Sequence, residues 1–325
     1  MKRKFLAGLL AAACLMGCGV KTESISENIK INLSENKLGY NYSQMLIPAL
    51  SESQIMTDTY TDAIWDSYVD RERNLTYRDN FYNDLKNYYK ELAVLKRIAE
   101  NENITLSEQD KTKALKLSKI FYDENVANGG NFPGLTKEDC DTVFMDYILV
   151  DKTKKELIEK NVKEVSESEA RIMDFHVIEV SDFELANTLL DRLNNGENCV
   201  KLATQFSESD SISRSIAINN ETEDVKNTLG VMEDGSVSPI VTNKGKYVLY
   251  KCVKSYNAEA TKKNKQRIKE ERESAYLLNL YNEFVKENPI DINESEFDKV
   301  CKNSDSHLSG RDFFTLWSEE ENGGL

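Results

Sequence analysis

Histidine is the scarcest side chain able to move protons near neutral pH, and this chain of 325 residues has two, His176 and His307. Zinc sites built on a histidine pair and Ser-His-Asp arrangements therefore have almost no raw material. Cys140, Cys199, Cys252 and Cys301 show no metal-ligand rhythm, and a chain of this length folds without staples, so buried free thiols are expected over disulfides. No phosphate-cradling loop, dinucleotide fingerprint or calcium-loop spacing occurs. No metal and no cofactor is implied. Whatever chemistry the chain performs must be sparse, and hydrogen bonding by groups such as His176 can hold and polarise a bound group without a covalent step.

The elements that must position these residues follow from hydrophobic period. Ser166 to Arg171 reads as a short capped turn, and Ile172 to Val180 as a strand carrying His176. A helix over Asp182 to Asn194 has Ala186, Leu189, Leu190 and Leu193 on one side and Gly196 as its stop. A shorter helix holds Leu202, Ala203 and Phe206, and Lys246 to Val253 forms a second strand carrying Tyr247 and Leu249. Together these make a small α+β unit, residues 166–255. On either side the period is helical. Thr76, Ser107 and Thr136 each stand three residues before an aspartate and open helices. Their apolar stripes are Phe81, Leu85, Tyr88, Leu92, Leu95 and Ala99, then Ala114, Leu117 and Phe121, then Val143, Tyr147 and Val150. Gly129, Gly130, Pro133 and Gly134 punctuate them. A long helix spans Ala258 to Lys286, and Asp312 to Glu321, with Phe313, Phe314 and Trp317, is expected to pack as a last helix.

The stretch from His176 through Val253 resembles a parvulin-type peptidyl-prolyl isomerase domain. FHVIEV is similar to the family's first strand, LLDRLNNGENCVKLATQFSES to its helix pair, and DGSVSPIVTNKGKYVLYKC to its closing turn and strand, with Pro239 and Gly245 six apart as the pattern requires. A helical segment before such a domain and a long helix after it resemble the extracytoplasmic foldases of the SurA and PrsA type. That likeness implies an α+β fold in which a helical chaperone lobe carries an inserted parvulin-like domain. It also implies a catalytic role for His176, Ser209 and Tyr247 and substrate contact for Phe206 and Leu249. The sequence departs from the family at the second histidine, replaced by Tyr247. It departs again where a polar run, SRSIAINNETEDVKN, stands in place of the stretch that lines the family's proline pocket.

The N-terminus adds an address. Lys2, Arg3 and Lys4 precede an apolar run from Phe5 to Met16, too short to span a bilayer at about 20 residues, which is the layout of a secretory signal. Leu15-Met16-Gly17-Cys18 resembles the lipobox of bacterial lipoproteins, implying lipidation at Cys18 and a site on the extracytoplasmic face of the cell membrane. The expected plan is then a signal peptide over 1–17 and a lipidated tether with one short strand, Ile29 to Leu33, over 18–41. A helical region follows over 42–165, the parvulin-like domain over 166–255, and a C-terminal helix and tail over 256–325. Loss of three cations with the signal takes the net charge from −14 to −17, which disfavours nucleic acid as a partner.

The expected function is a membrane-anchored folding factor that binds unfolded or partly folded exported polypeptides, with weak or lost isomerase activity. The alternatives are an active parvulin-type isomerase and an anchored binding lipoprotein without a chaperone role.

Overall fold

The computed structural model describes residues 39–127, 132, 134–304 and 307–323. Cys18, the tether with its expected strand, and Gly129, Gly130 and Pro133 lie outside them. The chain divides into two compact units: the described residues up to Val162 together with those from Ser274 onward, and Lys163–Glu273 between them. The smaller unit thus takes in the first half of the long helix as well as the α+β segment.

The larger unit is built from helices whose starts are set by local chemistry. α1 (Tyr42–Tyr60), α2 (Tyr77–Asn101), α3 (Glu108–Tyr122) and α4 (Lys137–Asn161) each open with a capping box, on Asn41, Thr76, Ser107 and Thr136. Each cap hydroxyl or amide oxygen accepts a backbone N–H that the first turn would leave unpaired. A small hairpin, β1 (Tyr68–Asp70) with β2 (Leu75–Thr76), precedes α2. A π turn over Asp123–Ala127 follows α3. The predicted stripes point inward: Leu85, Ala114, Leu117 and Phe121 are fully buried, and Tyr147 packs at the margin of the same core.

The C-terminal segment completes that core. It contributes the end of α9 (Ala258–Glu287), then α10 (Glu294–Asn303), which hydrophobic period had not marked, and α11 (Phe313–Glu321). Phe313 is 0% exposed, with ring centroids 4.6 Å from Phe144 and 4.9 Å from Tyr147. Its N–H donates to Ser51 Oγ at 3.0 Å. Ahead of it, Arg311 forks onto the Glu124 carboxylate, and Asn125 Nδ2 donates to the Arg311 carbonyl at 3.0 Å while its Oδ1 accepts Gly310 N–H at 2.8 Å. The π turn therefore presents the residues that clamp the returning chain.

In the smaller unit, β3 (Ile172–Val180), β4 (Ser213–Ala217), β5 (Val241–Asn243) and β6 (Lys246–Lys254) form an antiparallel sheet in the order β4-β3-β6-β5. One face packs on α6 (Phe183–Asn194) and α7 (Cys199–Phe206) through Ile178, Val180 and Leu249. The other packs Phe175, Val177, Val248 and Tyr250 on α8 (Glu223–Leu229) and its approach, through Ile218, Val225 and Leu229. A single-turn helix, α5 (Glu167–Ala170), precedes β3. The polar run SRSIAINNETEDVKN, to which the sequence reading gave no elements, forms an edge strand, a tight turn and the start of a helix. Cys140, Cys199, Cys252 and Cys301 are buried free thiols. Burial pushes Cys140 and Cys301 up to about 12 and Cys199 up to about 11, which keeps them protonated and unreactive.

Two outcomes follow. Phe313→Ala should lower the unfolding free energy by about 3–5 kcal/mol in a urea titration, the cost of a large buried aromatic, against about 1 kcal/mol for Thr136→Ala. The second concerns acid. The Thr76 hydroxyl holds Asp79 below the usual carboxylate range, and the Ser107 N–H does so for Asp110. Burial opposes ionisation of Asp139, but hydrogen bonds from Asn41 and Thr136 outweigh it and hold that carboxyl low too. A carboxylate with a depressed folded pKa stabilises fully above its unfolded pKa of about 3.9 and loses that contribution as the pH falls through the folded value. The urea midpoint should therefore drop in acid, and more gently in an Asp79→Asn, Asp110→Asn, Asp139→Asn triple variant; parallel curves would contradict this.

Candidate functional site

β3 and β6 run side by side at the centre of the sheet and carry two of the candidate residues. The register sets His176 opposite Lys251 and Val180 opposite Tyr247. His176 and Tyr247 thus share a face but stand four residues apart along it, roughly 13 Å at 3.3 Å per residue. His176 is half-buried, with Nδ1 3.2 Å from Ser213 Oγ on β4. The Tyr247 ring instead packs beside Phe183, with centroids 5.0 Å apart. The two side chains meet different neighbours, Ser213 and Phe183.

Ser209 lies in a third environment, the turn after α7. Its Oγ accepts from Arg214 Nη2 at 2.6 Å, and the same nitrogen lies 3.0 Å from Glu179 Oε2. Lys246 extends this network, 3.5 Å from Glu179 and 3.2 Å from Glu208, whose carboxylate also accepts the N–H and hydroxyl of Ser181. Those Ser181 bonds hold Glu208 below the usual carboxylate range, and Glu208 in turn raises Lys246. Ser209 is therefore a structural acceptor inside an ion-pair network.

The two residues expected to contact substrate are part of the packing between helices and sheet. Leu249 is 1% exposed. Phe206 is half-buried at the edge of the same cluster, with the Arg192 guanidinium over its ring at 5.3 Å. Among the described residues no group of three or more His, Cys, Asp or Glu side chains is placed to hold a metal. Likewise, no helix is long and apolar enough to cross a membrane.

A cleft of about 410 Å³ opens instead beside β4, lined by Ser211, Ser213, Arg214, Ser215, Ile216, Ala217, Asn220, Glu221, Asn243 and Tyr250. Its wall is mainly hydroxyl, amide and charged groups, unlike the apolar cup a proline ring needs. Arg214, Asn243 and Tyr250 were not singled out by sequence reasoning. The available signal was the alternation in Ser213-Arg214-Ser215-Ile216-Ala217, a period of two hidden by its serines.

No family model matches this chain, and no curated protein does either. Among solved structures it is similar to the peptidylprolyl isomerase PrsA of Bacillus cereus, at 14% identity over 74% of this chain and 100% of that one, with a TM-score of 0.34. It is similar to the foldase protein PrsA of Streptococcus pneumoniae at 16% identity over 68% and 89%, TM-score 0.29. A SurA-like chaperone structure from Campylobacter jejuni aligns at 16% over 75% and 92%, TM-score 0.21. At such identities and TM-scores the likeness by itself assigns no activity to this chain.

If Leu249 is core and His176 a surface strand residue, Leu249→Ala should cost about 2–5 kcal/mol in chemical unfolding and His176→Ala less than about 0.5 kcal/mol. The reverse order would return His176 to a buried, constrained role.

Proposed function

We propose that this protein is an extracytoplasmic folding factor, anchored by lipid at Cys18, that holds unfolded exported polypeptides and has weak or no prolyl isomerase activity. The observation that carries the reading is the separation of His176, Ser209 and Tyr247 into three environments, within a unit whose sequence resembles a parvulin domain. Lowering the barrier of an X-Pro bond, about 18–20 kcal/mol, requires groups preorganised around one twisted amide. Here the candidates are dispersed, and the cleft beside β4 has a mainly polar lining.

Holding a chain asks less of a surface, since it needs only accessible apolar and hydrogen-bonding groups. The larger unit leaves Tyr60, Tyr68 and Val69 about half exposed near its hairpin, and the smaller one leaves Phe183, Val231 and Tyr256 exposed. An anchored holder outside the cytoplasm works without nucleotide, consistent with a sequence that contains no nucleotide motif.

A protease-coupled assay on X-Pro peptides should give rates within about twofold of the uncatalysed reaction, unchanged by His176→Ala. The same protein should suppress aggregation of a chemically unfolded client at near-stoichiometric ratio. Catalysis well above background that falls in His176→Ala would replace this reading with an active isomerase. Absence of both activities would favour an anchored binding lipoprotein.

A further inference from the structure

β4 lies at the edge of its sheet, and its hydrogen-bond phase can be read from the bonds that flank it. Val177 N–H donates to the Ile212 carbonyl at 2.7 Å, and Ile218 N–H to the Arg171 carbonyl at 3.3 Å. Between them Arg214 pairs with Phe175 and Ile216 with Met173. Antiparallel pairs alternate between those that exchange hydrogen bonds and those that do not. The even-numbered residues of β4 therefore turn their backbone groups towards β3, and Ser213, Ser215 and Ala217 turn theirs outward. The Ser213 carbonyl takes the Ser211 hydroxyl at 3.1 Å. The Ser213 N–H and both backbone groups of Ser215 meet no partner among the described residues.

Edge strands are normally guarded by lysine, proline, a bulge or a covering element, because an open edge recruits another strand. β4 itself carries no lysine, no proline and no bulge. Its register with β3 runs without a bulge, its outward residues are short, and its one cation, Arg214, is held by Glu179 and Ser209. The cleft of about 410 Å³ is lined by every residue from Ser213 to Ala217 in succession. That unbroken lining brings the strand's backbone, as well as its alternate side chains, to the cleft. The rest of the lining, Asn220 and Glu221 after β4 with Asn243 on β5 and Tyr250 on β6, lies on the inner side of β4, over the face of the sheet, and leaves the outer edge of the strand clear.

We propose that the β4 edge takes up an extended, proline-free segment of an unfolded polypeptide as a fifth strand, through main-chain hydrogen bonds. Outward donors and acceptors recur at every second residue, about 6.6–6.8 Å, which is the repeat of a polypeptide backbone and of no small ligand. Recognition through the main chain is indifferent to the guest's side chains. A proline in the guest lacks the N–H the ladder needs, so the preference is opposite to that of a prolyl isomerase. This inference rests on the holding function proposed above and assigns part of the holding to one edge.

The test uses the full chain and a fluorescein-labelled ten-residue peptide of alternating threonine and valine, flanked by lysines, followed by anisotropy. A central proline, or N-methylation of one alternate set of peptide amides, should weaken binding about tenfold or more, while N-methylation of the other set leaves it intact. Ser215→Pro should weaken it similarly, since an outward N–H on an edge strand is where proline is tolerated. In the wild-type protein, bound peptide should slow amide exchange at Ser213 and Ser215 and leave Arg214 and Ile216 unchanged; this readout decides if the variant fails to fold. Binding indifferent to N-methylation, with no change in exchange at Ser213 and Ser215, overturns the edge proposal. No peptide binding in a protein that still suppresses aggregation also overturns it, and leaves the holding function standing; loss of both overturns the two together. A concentration-dependent dimer abolished by Ser215→Pro, without peptide binding, would replace the guest strand with a second copy of this chain.

Discussion

The larger unit depends on a closure that sequence neighbours cannot make. Phe313 fills the space between Phe144 and Tyr147, and its N–H meets the buried Ser51 hydroxyl. Between Val162 and Ser274 the chain belongs to the smaller unit, so this core is completed by residues more than a hundred positions downstream of the helices they cover. Such closure carries a loop entropy that grows only slowly with length, and it joins the last helix to the core of the first four. The Arg311 fork and the Asn125 amide sit where the returning chain must be aimed before Phe313 can enter. Gly310 reinforces the point, because a Cβ there would run into the Glu124 Cβ.

The smaller unit meets a different constraint. Both faces of its sheet are covered, one by α6 and α7 and the other by α8 with its approach. A sheet buried on both faces has little side-chain surface left for chemistry, so accessible groups concentrate at its ends and edges. This is why Leu249 is core and why Tyr247 turns to Phe183. An arrangement of this kind favours recognition through the main chain over recognition by a constellation of side chains.

Charge organisation agrees with a structural role for the polar residues near the sheet. Glu179 receives both Arg214 and Lys246, Lys246 also reaches Glu208, and Glu208 caps the Ser181 turn. These partners satisfy one another.

What the sequence by itself determined was local. A hydroxyl three residues before an aspartate, followed by apolar residues every three or four positions, dictates where a helix starts and which face it buries, because both effects act within one or two turns. Thr76, Ser107 and Thr136 were legible for that reason, as were β3 and β6 from their apolar runs. Register was not. Which residue of β6 faces His176 depends on pairing across some seventy residues of chain, and a slide of four residues separates His176 from Tyr247 without altering either strand's own pattern. β4 was hidden because serines carry no hydrophobic signal; its extended form comes from pairing with β3, and its open edge exists only once the order of strands is set. Helix capping and period are short-range physics, whereas register, edge and core closure are created by partners that meet only in the folded chain.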